Sequence, residues 1–125
     1  MTFNAKEIKL CKRLDELGIG PEIREGDVIL DRELDLPKIM VDEDEVGLAN
    51  GFRGSSILLL SWERCREMLR EKGWKLQHAL DDSAGQVILE FWKFFSERTK
   101  GPEIIRWAGA TDLEAILRVL VAAEE

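Results

Sequence analysis

A chain of 125 residues with 45% apolar and 34% charged side chains has the make-up of a soluble globular domain, which excludes a disordered or membrane-embedded class. Its 25 acidic and 18 basic residues leave a net charge of −7, which opposes nonspecific attraction to nucleic acid or anionic lipid, so neither is expected as a partner. No apolar run approaches the roughly 20 residues that cross a bilayer, and the opening M-T-F-N-A-K-E lacks the order of a signal peptide, so a cytoplasmic location is expected.

Asn4 and Glu7 have the spacing of a capping box, and Ile8, Cys11, Leu14 and Leu17 follow at helical intervals until Gly18, Gly20 and Pro21 end the helix. Ile23 to Glu33 and Leu36 to Asp42 read as two extended segments joined at Leu34 and Asp35, most simply a hairpin. Glu43 to Ser55 holds Gly47, Asn50, Gly51 and Gly54 without a regular apolar period and reads as a long loop, a kind of segment that can carry function. Ser56 to Leu60 fits a buried strand, and Ser61 caps a helix with Trp62, Cys65, Met68 and Leu69 on one side, ended by Gly73.

From Trp74 the period becomes two and places Trp74, Leu76, His78 and Leu80 on one face, before a turn at Asp81-Asp82-Ser83-Ala84-Gly85. Gln86 to Ser96 fits either a strand or a helix; its β-branched and aromatic content and the flanking turns favour the strand. Lys100-Gly101-Pro102 is a turn, Glu103 to Ala108 a last strand, and Thr111 with Glu114 a second capping box for a final helix carrying Leu113, Ile116, Leu117, Leu120 and Val121. The order α-β-β-(β)-α-β-β-β-α, with links too short for parallel crossovers, predicts an α+β layered sandwich of antiparallel sheets covered by helices. No repeat, low-complexity tract or linker divides the chain, so a single domain over 1–125 is expected.

A helix running into E-K-G-W at Glu71 to Trp74, then strands, then G-A-T-D-L-E-A-I-L-R-V-L at Gly109 to Leu120 resembles the small phage ABA sandwich domains. Gly73, Trp74, Gly109, Thr111, Glu114 and Ala115 carry the resemblance, which covers about half the chain. It implies two helical layers around a sheet and a phage or prophage setting; it implies no activity.

The chemistry-bearing residues form no established motif. Asp42-Glu43-Asp44-Glu45 before Gly47 has the look of a calcium loop, but Val46 and Arg53 stand where ligands are needed. Cys11 and Cys65 lie far apart on apolar helical stripes and read as buried hydrophobes, not as a disulfide or zinc site. His78, the only histidine, has no nucleophile context near it and reads as a partly buried structural imidazole. No phosphate-binding glycine motif occurs. Lys93, Arg98 and Lys100, interleaved with Trp92, Phe94 and Phe95, imitate a base-stacking platform, but Glu90, Glu97 and Glu103 dilute the charge and the core has a use for the aromatics.

No catalytic, metal or cofactor residue is therefore expected. The leading expectation is a non-enzymatic, phage- or prophage-related accessory protein that contacts another protein. Phe52 and Arg53 are the candidate contact residues, being of types enriched in interface anchors; a competing and stronger reading tucks Leu48 and Phe52 into the core. Two other classes stay open. One is an acidic DNA mimic built from Asp42 to Glu45, Asp81, Asp82, Glu124 and Glu125. The other is a small hydrolase using Asp27, Asp31 or His78.

Overall fold

The computed structural model describes residues 2–82, 84–94 and 101–125. The readings made for Ser83, Phe95, Ser96, Glu97, Arg98 and Lys100 lie outside the described residues. Among the described residues, four α-helices and two three-stranded antiparallel sheets make this an α+β protein of helices layered on sheets, as the sequence predicts. The chain divides into two compact units, Met1–Leu60 and Ser61–Glu125, with the boundary falling where a strand meets a helix cap and no linker signals it.

In the first unit, α1 (Ala5–Glu16) is closed at its start by the expected reciprocal box: the Glu7 backbone N–H donates to Asn4 Oδ1 at 2.8 Å, and the Asn4 N–H donates to Glu7 Oε1 at 2.8 Å. Cys11 and Leu14, each 1% exposed, form its inner face, and the helix packs on β3 (Ser56–Leu59). Burial pushes the Cys11 thiol up to about 11, with the Glu7 charge adding to the rise and a hydrogen bond involving the Leu60 backbone opposing it, so it is a core hydrophobe and not a nucleophile.

The hairpin is shorter than the sequence suggests. β1 covers only Val28–Asp31 and β2 only Pro37–Ile39, with Val28 opposite Ile39 and Leu30 opposite Pro37. Upstream, Arg24 to Asp27 turn instead of extending: the Asp27 N–H donates to Arg24 O at 3.1 Å, the Arg24 N–H donates to Asp27 Oδ2 at 2.8 Å, and Gly26 takes a left-handed φ of 85°. At the tip, Asp31 Oδ1 accepts from the Glu33 and Leu34 N–H groups at 2.8 and 3.0 Å, and Asp35 adopts φ 53°. β3 pairs antiparallel with the other side of β1, giving the order β2-β1-β3, and all four of its residues are buried.

The segment read as a loop is helical. Residues Glu43–Gly51 form α2, and Arg53–Ser55 follow as a 3₁₀ turn. The helix buries only Ala49, which is why no apolar period announces it. Polar contacts organise it instead. Asp42 Oδ1 accepts from the Glu45 N–H at 2.9 Å, Glu45 Oε2 accepts from the Val41 N–H at 2.9 Å, and three carboxylates occupy the positive end of the helix. Asn50 clamps both backbone groups of buried Ile23, each at 3.0 Å.

In the second unit, Ser61 caps α3 (Trp62–Glu71) through a 3.2 Å bond from the Arg64 N–H, and Gly73 at φ 90° ends it. Strands β4 (Lys75–Asp81), β5 (Val87–Lys93) and β6 (Glu103–Gly109) form an antiparallel sheet in that order, so the ambiguous stretch is a strand through Lys93. Asp82 Oδ1 holds the β4–β5 turn by accepting from the Ala84 and Gln86 N–H groups, both at 2.9 Å. The closing helix α4 (Asp112–Glu124) packs on β5, β6 and α3. Its buried stripe is wider than the spacing predicts and takes in Glu114, Ala115 and Val119 as well as the leucines. The Thr111 side chain accepts from the Glu114 N–H at 3.0 Å as expected, but the Glu114 carboxylate accepts from the Ala110 N–H at 2.6 Å, one residue before the cap.

Candidate contact surface

One irregularity decides what the second sheet displays. Leu76 lies opposite Phe91, but His78, not Gln77, lies opposite Glu90, so Gln77 is an extra residue in a bulge. A single extra residue moves every later side chain of the strand to the other face. Leu76 therefore shares the inner face with buried Phe91 and Leu89, whereas His78 and Leu80 emerge on the outer face, contrary to the expectation that these residues share one side. His78 is exposed, not partly buried.

Register then places three rows across the outer face. Leu80, Ile88 and Ala108 form the first row, His78, Glu90 and Arg106 the second, and Lys75, Trp92 and Ile104 the third, with Phe94 following the end of β5. Leu80 and Ile104 are 53% and 50% exposed and Phe94 43%, so the row of polar groups lies between apolar side chains that water reaches, with Lys75 at the rim beside Trp92. The Trp92 Nε1–H donates to Glu90 Oε1 at 2.6 Å, and the Trp92 and Phe94 rings lie 5.7 Å apart, tilted by 46°. These contacts hold the indole along the face. The core-forming role expected of Trp92 and Phe94 falls to Phe91.

On the inner face α4 packs along β5 and β6. A Cβ on Gly109 would meet α4, Arg118 of α4 stands 5.9 Å over the Trp107 ring, and Lys93 points to this side, 5.9 Å over Trp74. Lys93 is thus not part of a basic platform beside Trp92.

The residues singled out from the sequence separate. Phe52 caps the end of α2 and is 68% exposed, and Leu48 is 63% exposed, so neither enters the core. Arg53 turns inward: its Nη1 donates to Ser56 O at 3.1 Å and its Nη2 to Pro21 O at 3.4 Å, and burial lowers its pKa from the ordinary value while Asp15 and Asp27 oppose the shift. It ties the 3₁₀ turn to the Pro21 segment. Arg53→Ala is expected to cost about 1–2 kcal/mol through two carbonyls losing their donor, whereas Phe52→Ala stays within about 0.5 kcal/mol. Urea melts of the two variants check the difference.

The remaining candidates serve the fold. Asp27 and Asp31 accept the turn bonds described above, and Asp42 and Glu45 cap α2, with Glu45 also 3.4 Å from Lys38. Asp82 holds its turn, and Glu124 pairs with Lys72. Those carboxylates of the DNA-mimic set are therefore engaged in caps, turns and ion pairs. Among the described residues no three His, Cys, Asp or Glu side chains gather as metal ligands. An open depression of ≈ 250 Å³ beside α1 is lined by Lys12, Glu16, Leu30, Arg32, Asp35 and Ile57; Lys12 pairs with Asp35 at 3.4 Å, and Arg32 with Asp15. No described helix is long and apolar enough to cross a membrane.

Comparison of the chain with protein-family models, with curated proteins and with solved structures returns no match. The outer face was missed in the sequence because the bulge is silent there. One signal was present: β5 carries apolar residues on both of its faces, Val87, Leu89 and Phe91 on one and Ile88 and Trp92 on the other, with Glu90 between the latter two. A strand apolar on two sides either lies in a central layer or displays one side to a partner.

Proposed function

We propose that the protein is a non-enzymatic accessory protein that works by contacting another protein, and that the outer face of the β4-β5-β6 sheet is the contact surface. The carrying observation is that Leu80, Phe94 and Ile104 are exposed around half-buried Trp92 on the face opposite α4. Trp is the residue type most often found at the energetic centre of interfaces. The phage or prophage setting is supported by the resemblance of Gly73-Trp74 and the Gly109 to Leu120 segment alone.

The test is affinity capture from an extract of the native host with the full chain, Trp92→Ala and Ile104→Asp. Each variant is expected to lose a retained partner by about 30-fold or more, the loss typical of a central anchor, with unchanged circular dichroism. Retention of the same partner at wild-type level by both folded variants overturns the proposal. Leu48→Asp, on α2, serves as the surface control and keeps the partner.

A further inference from the structure

We infer that, independently of the contact surface proposed above, residues 42–52 form a flap that opens and closes on the first unit without unfolding it, with Asn50 as its latch. Both ends of this segment are anchored. Before it, Met40 is 2% exposed and its backbone bonds to Gly26 and Asp27, each at 2.8 Å. After it, the 3₁₀ turn is fixed by Arg53 and leads directly into buried β3. The stretch between the anchors is held far more lightly. α2 buries one side chain, Ala49, whereas α1 and α3 bury three each and α4 seven. Among the described residues no other helix or strand packs extensively against it.

Intrinsic propensity does not hold the helix in place either. Its nine residues fall short of the roughly 12–15 at which an isolated helix becomes marginal in water. Gly47 and Gly51 weaken it further, and no basic residue meets the negative end of its dipole. Asp42 and Glu45 do cap its start, but they bond the Glu45 and Val41 N–H groups, which lie within the segment or at its hinge, so these bonds travel with the flap. The Glu45–Lys38 pair at 3.4 Å, with Lys38 60% exposed, adds little. The tie that reaches across the unit is Asn50. Its Oδ1 accepts from the Ile23 N–H and its Nδ2 donates to the Ile23 carbonyl, each at 3.0 Å and 27 residues away in sequence. Releasing that side chain frees α2 while Cys11, Leu14 and the buried residues of β1 and β3 keep their packing. Scant apolar burial and one distant polar clamp are the make-up of a segment that opens below the free energy of global unfolding.

The test is amide hydrogen exchange of the full chain, followed residue by residue by NMR at urea concentrations below the unfolding transition. The α2 amides of Val46 and Phe52, bonded to the Asp42 and Leu48 carbonyls, are expected to exchange about 100-fold or more faster than those of Cys11 and Leu14 in α1. Their rates are expected to be nearly independent of urea, because opening uncovers little surface. Asn50→Ala removes both bonds to Ile23 and is expected to speed α2 exchange about tenfold with α1 unchanged. Gly47→Ala is expected to slow α2 exchange about fivefold, again with α1 unchanged; a Cβ at that position meets nothing within 4 Å. α2 amides protected as strongly as those of α1, with the same urea dependence, overturn the flap. So does either variant if it shifts α1 and α2 by the same factor. An unchanged α2 rate in Asn50→Ala removes the latch and overturns the proposal as well. Loss of folding in Asn50→Ala counts the same way, because it makes the clamp essential to the whole unit.

Discussion

Replacing Gly109 by alanine is expected to destabilise the second unit by about 3 kcal/mol or more, the range reached when a core is overpacked against backbone. Gly109 ends β6 opposite Val87 and faces the first turn of α4. A Cβ there would lie 2.6 Å from the Ala115 nitrogen, 3.0 Å from Glu114 Cβ and 3.1 Å from Ala115 Cα. Two of the three are backbone atoms and cannot rotate away, so α4 would have to retreat from the sheet and open space around Phe91, Ile116 and Leu120, all at most 1% exposed. Gly85→Ala is the comparison. There φ is 78° with nothing within 4 Å, so the cost is the left-handed backbone alone, about 1 kcal/mol. All four tryptophans, Trp62, Trp74, Trp92 and Trp107, lie in this unit, so their fluorescence during urea unfolding reports its stability selectively. Equal costs for the two substitutions would show that the helix yields freely at this point.

The same contrast between local and distant causes explains which elements were legible in the sequence. Caps at Asn4, Ser61 and Thr111 were legible because donor and acceptor lie three residues apart and need no tertiary partner. The antiparallel hairpins were legible from turn residues such as Asp35 and Gly85, whose left-handed φ values a turn requires. α2 was not. It lacks an apolar stripe, and its clamp, Asn50 on Ile23, spans 27 residues. Asn and Gly within Glu43 to Ser55 suggested a loop because their local preference favours one, and the distant contact outweighs that preference.

The candidate surface follows the same division. The stronger sequence reading tucks Phe52 into the core, and the structure leaves it 68% exposed because its short helix buries only Ala49; nor was it readable that Arg53 folds back onto the Pro21 and Ser56 carbonyls, since nothing local distinguishes an inward guanidinium from an outward one. The outer face depended on the Gln77 bulge. Period-two reading carries an error past a bulge unchanged to the end of the strand, so His78 and Leu80 were assigned to the wrong side. Trp92 was assigned to the core on composition, whereas one buried aromatic, Phe91, fills that role on the central strand.

The second large effect is expected at Glu114, 1% exposed and yet ionisable. Its Oε2 accepts from the Ala110 N–H at 2.6 Å and its Oε1 from Arg118 Nη2 at 3.1 Å, so both oxygens are occupied. Glu114→Ala removes two acceptors at once: a backbone donor at the β6–α4 junction loses its partner, and Arg118 loses its counter-charge. The expected cost is about 2 kcal/mol, from a charge-assisted bond to a backbone donor lost together with an ion pair whose Arg118 side is 37% exposed. Glu114→Gln keeps an oxygen for Ala110 and is expected to cost about 1 kcal/mol, mostly through the weakened bond to Arg118. Arg118→Ala also loses its cation–π contact over Trp107, so the Glu114–Arg118 coupling must be taken from the double-mutant cycle and not from either single variant. A Glu114→Gln cost equal to that of Glu114→Ala would transfer the whole effect to the ion pair and remove the backbone bond from the account. The carboxylate and Gly109 are two halves of one junction: the glycine lets α4 approach the sheet, and the carboxylate ties the Ala110 N–H at the end of β6 to the first turn of that helix.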